Sequence, residues 1–420
     1  MISARPAIHR LPLDSAPRPE ALLAALAARD RPVLAPFSGH VIVACDPAEV
    51  VTGAAVWDAV TTACARRSLG PEAAAGGWIG LLGYDLGGTI ERLPPPRRDP
   101  GGPPLAAVGR YETVAIFDPY GGCTLAGIGP ESALRELADV ARLADQPPSG
   151  PHPPAAVTTS LDAAAYRDRV SRTRTLIRAG DCYQVNLTQR LSAPWTDSPV
   201  AFAMRLWAAA GPSSHRAYVG MPEGVVVSAS PERLVRVSNG VAESEPIKGT
   251  APLGDWEQLS TSAKDRAEHV MIVDLVRNDL GRVARAGGVS VPRIFGYLST
   301  PYVEHMVSEV RAELRPDVTA ADVLRAVFPG GSVTGTPKVR AMEVIRELEP
   351  VARGAAFGSV VTVGTDGAIE ASITIRTAWV AGGEVRYWCG GAIVWDSDPD
   401  AELAEAWAKA QPFVHAVGAA

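Results

Sequence analysis

The 420-residue sequence contains few cysteines, and none of them are paired in a metal-binding motif. The five cysteines are odd in number and widely scattered, and no two form a Cys-x-x-Cys motif. Neither a disulfide framework nor a structural zinc site is indicated.

The sequence also lacks long apolar runs and an excess of positive charge. No run approaches the roughly 18 apolar residues of a membrane-spanning helix, and the first residues show no signal-peptide pattern. We therefore expect a cytoplasmic protein without membrane contact. The formal net charge is −6 and there is no run of Lys or Arg, which argues against binding of nucleic acid.

A proline-rich segment, Gln146–Pro154, divides the chain and predicts a stiff linker between an N-terminal portion, residues 1–150, and a second portion, residues 155–420. Helical patterns occur near residues 163–179 and 262–283 and at the C-terminus. Strand patterns occur at 183–191, 224–229, 308–314, 358–363, 370–380 and 384–394. Because helices and strands do not alternate strictly, the pattern favours an α+β fold with large antiparallel sheets.

Lys248 is a candidate reactive amine. It lies in Pro246–Thr250 (PIKGT), a pattern that predicts a strand end turning into a loop. Apolar neighbours reduce the solvation of a lysine, and desolvation favours the neutral amine, which is a nucleophile or a base. Taken alone, the residue is better explained as an ordinary surface lysine at a turn.

Three glutamates on two predicted helices are candidate ligands of a divalent cation. Glu268 is predicted to share a helix face with apolar residues three, four and seven positions later. Asp398 and the proline after it predict the start of the C-terminal helix, which places Glu402 and Glu405 one turn apart. Mg²⁺ binds one or two carboxylates together with waters and substrate oxygens. A solvated helix with a Glu405–Lys409 ion pair is the alternative.

Two glycine-containing segments and one arginine predict an acidic ligand. Residues 328–338 (FPGGSVTGTPK) predict a loop that enters a helix, with Thr336 as N-cap and Pro337 as the first helical residue, so that free N–H groups face an anion. The pair Gly390-Gly391 would let a ligand approach a strand. Arg376 suits bidentate binding of a carboxylate.

Six segments, in a consistent order, resemble the chorismate-utilising enzymes. They are Gly180–Leu187 (GDCYQVNL), Ser230–Arg233 (SPER), Pro246–Thr250, Lys264–Asp279, Gly330–Ala341 and Ser372–Thr377 (SITIRT). Upstream, Gly80–Gly87 (GLLGYDLG) is similar to the N-terminal portion of the branches that aminate chorismate. The resemblance covers nearly the whole chain. It implies an α+β fold of two large antiparallel sheets packed face to face and flanked by helices, with one magnesium ion and chorismate between them.

Two positions separate the branches of this family. Lys248 stands where anthranilate synthases usually carry alanine, and Gln184 stands where members that add water to chorismate carry a lysine. A glutamine amide is not basic near neutral pH, which disfavours activation of water. The resemblance therefore implies amination of chorismate at C4, on the route to 4-aminobenzoate and folate. An anthranilate synthase large subunit is the alternative, and a non-catalytic subunit that retains the fold is an alternative of another class.

The resemblance also implies roles for individual residues. Lys248 would attack C2 of chorismate as the C4 hydroxyl leaves, Glu232 would act as general acid and base, and His305 would belong to the catalytic site. Three carboxylates would hold magnesium as template and Lewis acid: Glu268, Glu402 and Glu405. Substrate contacts would come from Ser332, Thr334, Arg376, Gly390 and Gly391.

The chain departs from the family pattern in two respects. Val361 and Thr362 stand where the family commonly has Gly-Tyr, so that one carboxylate contact would be lost or replaced by the threonine hydroxyl. The chain also lacks the length and the nucleophilic cysteine of a fused glutaminase. Ammonia is therefore expected from a separate glutamine amidotransferase subunit, or from solution at high concentration.

Overall fold

Two large antiparallel sheets form the centre of the structure. A computed structural model describes residues 8–65, 76–97, 99–145, 147, 153–299 and 303–419, and the structural statements below concern these residues. Every strand pairing in both sheets is antiparallel. The predicted α+β architecture is confirmed.

The first sheet has twelve strands within the described ranges. Their spatial order is β1 (His9–Pro12), β8 (Cys123–Gly127), β7 (Thr113–Phe117), β3 (His40–Ala44), β2 (Val33–Phe37), β11 (His215–Met221), β12 (Gly224–Ser230), β21 (Thr377–Ala381), β22 (Glu384–Ile393), β10 (Gln184–Pro194) and β18 (Gly335–Thr336), with β9 (Thr158–Thr159) also paired to β10.

The second sheet has ten strands within the same ranges. Their order is β15 (Ile247–Pro252), β17 (Val303–Leu314), β14 (Val241–Glu245), β13 (Arg233–Ser238), β20 (Ile369–Ser372), β19 (Ser359–Gly364), β5 (Gly77–Leu82), β6 (Ala106–Tyr111) and β4 (Glu49–Thr52), with β16 (Ala284–Ser299) also paired to β17.

Ten α-helices accompany the sheets in the described part of the chain. They are α1 (Pro19–Leu26), α2 (Val56–Cys64), α3 (Glu131–Arg142), α4 (Ala163–Arg178), α5 (Pro199–Ala210), α6 (Trp256–Thr261), α7 (Ala263–Gly281), α8 (Ala320–Val327), α9 (Lys338–Leu348) and α10 (Pro399–Ala416). None of them is long and apolar enough to cross a membrane.

Local capping explains where the predicted helices begin. The Asp162 side chain accepts a hydrogen bond from the N–H of Ala165 at the start of α4, and Ser262 caps α7 in the same way. Asp398 accepts from two N–H groups at the start of α10, and Pro399 follows it at the first helical position. Such side-chain caps satisfy N–H groups that the helix leaves unpaired, so they mark a helix start in the sequence.

Both sheets combine strands from the two predicted portions of the chain. In the first sheet β2 pairs with β11, and in the second β5 pairs with β19. Strands β2 and β19 are buried at every residue, because side chains cover both of their faces. The portions 1–150 and 155–420 therefore share one apolar core. Their boundary stays a prediction, since residues 146 and 148–152 lie outside the described ranges.

Two predicted elements are wrong in detail. The strand predicted at 370–380 is two strands, β20 and β21, because the chain crosses from one sheet to the other between them. Arg376 adopts a left-handed backbone at this crossing, with φ of 50°. Thr336 is not the N-cap of α9: it pairs with Gln184 in β18, and Pro337 occupies the cap position instead.

We predict that Gly390→Ala destabilises the protein, since an added Cβ would lie 2.0 Å from the Leu187 carbonyl oxygen in the neighbouring strand. Relieving such a clash typically costs about 1–3 kcal/mol or more of unfolding free energy, measurable by urea denaturation. The control is Gly281→Ala, where nothing lies within 4 Å of the added Cβ. Equal stabilities of the two variants would contradict the strand packing described here.

Candidate active site

Lys248 lies at an irregularity of strand β15, where a left-handed Gly249 shifts the pairing with β17. The residue is half-buried. Burial lowers the pKa of the Lys248 amine, and the nearby Lys409 ammonium lowers it further, while Glu232, among other carboxylates, opposes the shift. The neutral, nucleophilic amine is therefore more populated than in an ordinary lysine.

Glu232 provides a carboxyl group that exchanges its proton near neutral pH. It lies between β12 and β13 and is 5% exposed. Its N–H donates to the Ser230 hydroxyl at 3.2 Å, and its carbonyl oxygen accepts from the N–H of Ile373 at 3.0 Å. Burial raises the pKa of Glu232 to about 7, although Lys248 and other neighbours partly offset the increase. A carboxyl group with this pKa suits general acid–base chemistry.

Arg376 supplies a positive charge to the same site. Its guanidinium forms no ion pair with another described residue, yet its charge lowers the pKa of both Glu232 and His305. The structure therefore brings these three predicted residues together. An arginine without an anionic partner beside a buried carboxyl group suits a ligand with a carboxylate.

His305 lies on β17 and is 2% exposed. Burial and the charge of Arg376 lower the pKa of His305 to about 4, while the Gly249 backbone opposes the shift. The imidazole is therefore neutral near pH 7.

The glycine-rich loop differs from the predicted anion site. Gly331–Val333 forms a short 3₁₀ helix, and the Thr334 hydroxyl donates to the carbonyl oxygen of Gly330 at 3.0 Å. Ser332 is buried and acts on the pKa of Glu232, so it belongs to the site. The loop thus reaches the site through Ser332, whereas the Thr334 hydroxyl closes the loop on itself.

A buried arginine that the sequence did not reveal holds this loop. Arg353 is 2% exposed and forms bidentate hydrogen bonds with Glu349 at 2.6 and 2.9 Å. It also donates to the carbonyl oxygens of Val333 at 2.7 Å and Asn186 at 2.6 Å. Glu349 in turn accepts from the N–H and hydroxyl of Thr188. The loop and strand β10 are thereby fixed to each other.

Two carboxylates of α10 face strand β22. Glu402 is buried, accepts a hydrogen bond from Ser397 at 2.6 Å through Oε1, and has no partner for Oε2 among the described residues. Burial raises the pKa of Glu402. Burial acts on Glu405 in the same direction, but Lys409, 2.6 Å away, outweighs it and lowers the pKa. The Glu405–Lys409 ion pair, which belongs to the alternative without a metal ion, is present.

Different neighbours explain why positions 390 and 391 of β22 are glycines. At Gly391 an added Cβ would lie 2.9 Å from Glu402 Oε2 and 3.5 Å from Glu405 Oε1, so a glycine here lets both carboxylates lie close to the strand. At Gly390 the space is occupied by the backbone of Leu187. Close strand packing therefore accounts for Gly390, and its contact with a substrate stays a prediction.

The predicted trio of metal ligands is not assembled as one compact cluster. Within the described ranges, no group of three His, Cys, Asp or Glu residues is close enough to hold a metal ion. Glu268 on α7 nevertheless interacts with Glu405 through charge, which helps raise the pKa of Glu268. Mg²⁺ needs only one or two protein carboxylates when substrate and water complete its shell. The unpartnered oxygen of Glu402 and the approach of Glu402 and Glu405 to Gly391 fit such an ion.

The buried face of α7 is rotated from the predicted one. Its fully buried residues begin at His269 and continue through Ile272, Val273 and Val276, whereas Glu268 is half-buried. His269 is completely buried and bonds to Ser308. The spacing of three, four and seven residues from His269 is a helical pattern that could have revealed it.

Two further buried polar residues, one in each sheet, have side chains without a hydrogen-bond partner in the described part of the chain. The side-chain amide of Gln184 is fully buried and has no hydrogen-bond partner among the described residues, and the buried hydroxyl of Thr362 has none either. Buried polar groups are normally paired with protein, water or ligand. Both groups are therefore available to a polar ligand or to water.

Comparison with known proteins identifies the family. A family model described as chorismate binding enzyme matches residues 34–415. Aminodeoxychorismate synthase component 1 of Klebsiella aerogenes is 42% identical over 358 residues, covering 81% of this chain and 77% of that protein. Anthranilate synthase component 1 of Thermus thermophilus is 39% identical over 358 residues, with coverage of 81% and 77%.

A solved structure supports the same conclusion. Anthranilate synthase component I from Streptococcus pneumoniae TIGR4 superposes with a TM-score of 0.76 at 27% identity, covering 99% of this chain and 94% of that chain. The expected fold of two antiparallel sheets with flanking helices is thereby confirmed. The chain belongs to the family of chorismate-binding enzymes.

Proposed function

We propose that this protein is the chorismate-aminating component of an aminodeoxychorismate synthase, which converts chorismate and ammonia to 4-amino-4-deoxychorismate. The observation that carries the proposal is Lys248, an amine with a lowered pKa that is electrostatically coupled to the carboxyl group of Glu232. The relative from Klebsiella aerogenes bears the corresponding name.

The proposed reaction uses these two groups in sequence. The neutral amine of Lys248 forms a bond to C2 of chorismate, the ring double bonds shift, and the C4–O bond breaks. Glu232 gives its proton to the departing hydroxyl, which leaves as water. Ammonia then forms a bond to C4, the double bonds shift back, and the C2–N bond to Lys248 breaks. Glu232 recovers a proton from the incoming nitrogen, and Lys248 is released as the amine.

Positive and polar groups around the pair would hold the substrate. Arg376 would bind a carboxylate of chorismate, because it forms no ion pair with a described residue. Its charge lowers the pKa of both Glu232 and His305, so it lies near them. Ser332 lies against Glu232 and would contact the substrate as well. His305 would donate or accept a hydrogen bond in its neutral form.

We propose that Glu402 and Glu405 hold a magnesium ion, with Glu268 contributing negative charge nearby. When bound, the ion would neutralise the ring carboxylate of chorismate and fix its position. The unpartnered Glu402 oxygen and the approach of both carboxylates to Gly391 support this assignment. Lys409 now neutralises Glu405, so its ammonium would share or leave that carboxylate when the ion binds.

Ammonia would come from a separate glutamine amidotransferase subunit, as the designation component 1 of the relatives suggests. An anthranilate synthase large subunit is the second candidate, because a relative with that name is 39% identical. Lys248 favours the first candidate, since the resemblance places alanine there in anthranilate synthases. Gln184 disfavours addition of water, because its amide cannot remove a proton.

The direct test is incubation of the protein with chorismate, magnesium and ammonium, followed by mass analysis of the product. We expect 4-amino-4-deoxychorismate and expect Lys248→Ala to lower its formation on the order of 1,000-fold or more. Lys248→Arg is the matched variant, because it keeps the positive charge without a nucleophilic amine. Anthranilate as the product, or substantial activity in either variant, would refute the proposed reaction.

The pH dependence tests Glu232. Since its pKa is raised to about 7, the proton available to the leaving hydroxyl is lost as pH rises through 7, and the turnover rate should fall. The folded protein holds this proton more tightly than the unfolded chain, so burial of Glu232 should also reduce stability as pH rises from about 4.5 to 7, by up to about 3 kcal/mol. Urea denaturation at several pH values should show this decline in wild type and not in Glu232→Gln. If the unfolding free energies of wild type and Glu232→Gln changed with pH in the same way, the raised pKa of Glu232 would be excluded.

The metal assignment predicts that Glu405→Gln weakens magnesium binding in the presence of chorismate, because it removes one charge from a shared cation site. Titration calorimetry would measure the affinity. Asp400→Asn is the control, since it removes one charge from an exposed side chain on the same helix. Unchanged magnesium affinity in Glu405→Gln, or equal loss in both variants, would contradict the assignment.

A further inference from the structure

We propose that His269 is a positioning residue that fixes helix α7, and with it the carboxylate of Glu268, against the strand that carries Lys248. The inference rests on the proposed function and adds to it a residue that touches none of the reacting atoms. It is drawn from a side-chain and backbone network around Ser308 that joins four elements of the second sheet and its helix.

The hydrogen bonds of the Ser308 hydroxyl link β16 to α7. The Phe295 N–H of β16 donates to the Ser308 hydroxyl oxygen at 3.1 Å, and this oxygen lies 2.6 Å from Nε2 of His269. A serine hydroxyl has one proton and two acceptor positions, so it bonds to both partners at once.

The backbone of Lys248 lies close to the imidazole of His269. No hydrogen bond of ordinary geometry joins Nδ1 to a described residue, but the Lys248 backbone is close enough to raise the pKa of His269, against burial and the Lys248 charge, which lower it to about 4. The completely buried ring also packs against Phe295, with 5.6 Å between ring centres. His269 is therefore enclosed between Ser308, Phe295 and Lys248.

Ser308 also connects helix α7 to the residues that lead into β15. Its backbone N–H donates to the carbonyl oxygen of Pro246 at 3.2 Å, two residues before Lys248. The serine thus contacts β16 and α7 through its hydroxyl and the entry to β15 through its backbone. Helix α7 joins this network through the hydrogen bond between His269 and Ser308.

The rotation of α7 about its axis decides where Glu268 points. Successive residues of an α-helix are about 100° apart, so holding His269 inward directs Glu268 toward the neighbouring flank of the helix. There its charge reaches both Lys248 and Glu405. Loss of the His269–Ser308 bond would free this rotation, and displacement of a catalytic group by about 1 Å reduces rates on the order of 100-fold.

The test compares His269→Phe, which keeps an aromatic ring without the hydrogen bond, with His269→Gln, whose amide could retain it. We expect His269→Phe to lower kcat for ammonia-dependent amination about 10- to 100-fold, with KM for chorismate changed less than about threefold. His269→Gln should recover part of the rate. Ser308→Ala should resemble His269→Phe, and the double variant should lose little more than either single variant.

The matched control is His215→Phe, another buried histidine, which bonds to Ser214 and Glu370. A readout independent of turnover is the rate at which an amine-specific reagent labels Lys248 relative to exposed Lys264. We expect this ratio to change in His269→Phe and Ser308→Ala and to stay at the wild-type value in His215→Phe. If His269→Phe does not fold, Ser308→Ala provides the same test.

The inference would be overturned if His269→Phe lost no more activity than His215→Phe, or if Lys248 labelling stayed unchanged in both His269→Phe and Ser308→Ala. Failure of the proposed function would look different, because wild type itself would then form a product other than 4-amino-4-deoxychorismate. The labelling experiment needs no substrate and separates the two failures.

Discussion

The geometry of the site depends on one buried cation, the guanidinium of Arg353. A charge removed from water is costly unless every donor finds a partner. Here Glu349 and two backbone carbonyl oxygens take its hydrogen bonds, and the rings of Tyr84 and Phe357 lie 4.5 and 4.7 Å from it. These partners come from distant parts of the chain. Satisfying this charge therefore holds the loop that carries Ser332, strand β10 and the N-terminal motif in one arrangement.

Burial then sets the chemistry of the two central groups. It disfavours the charged form of each, so it lowers the pKa of the Lys248 amine and raises that of the Glu232 carboxyl group. The attraction between the two charges opposes both pKa shifts, and the pKa of Glu232 remains at about 7. The proposed reaction requires these forms together, a free amine that attacks and a carboxyl group that gives up a proton. Arg376 remains without an anionic partner in the described structure, as expected of a residue that receives a carboxylate.

Some predictions failed where long-range pairing overrode a local pattern. Thr336 looks like a helix cap in sequence, but its backbone pairs with Gln184 from a segment 152 residues earlier, and the helix starts later. Residues 370–380 look like one strand, yet the chain changes sheets there. The buried face of α7 begins at His269 because the hydroxyl of Ser308 satisfies the imidazole. Periodicity alone could have placed this residue on the buried face, but the partner that stabilises its burial lies 39 positions away.

The sequence by itself determined the elements whose signals are local: the capped starts of α4, α7 and α10, the α+β class, and, through the order of its motifs, the chorismate-binding family. It also named most candidate site residues. Only the tertiary structure decided which of them meet. It showed that Gly390 is required by a neighbouring strand, that Gly391 lies against two carboxylates, and that no three of the described His, Cys, Asp and Glu residues form a compact ligand cluster. These properties depend on burial and on distances between remote segments, and no local pattern of residues specifies either.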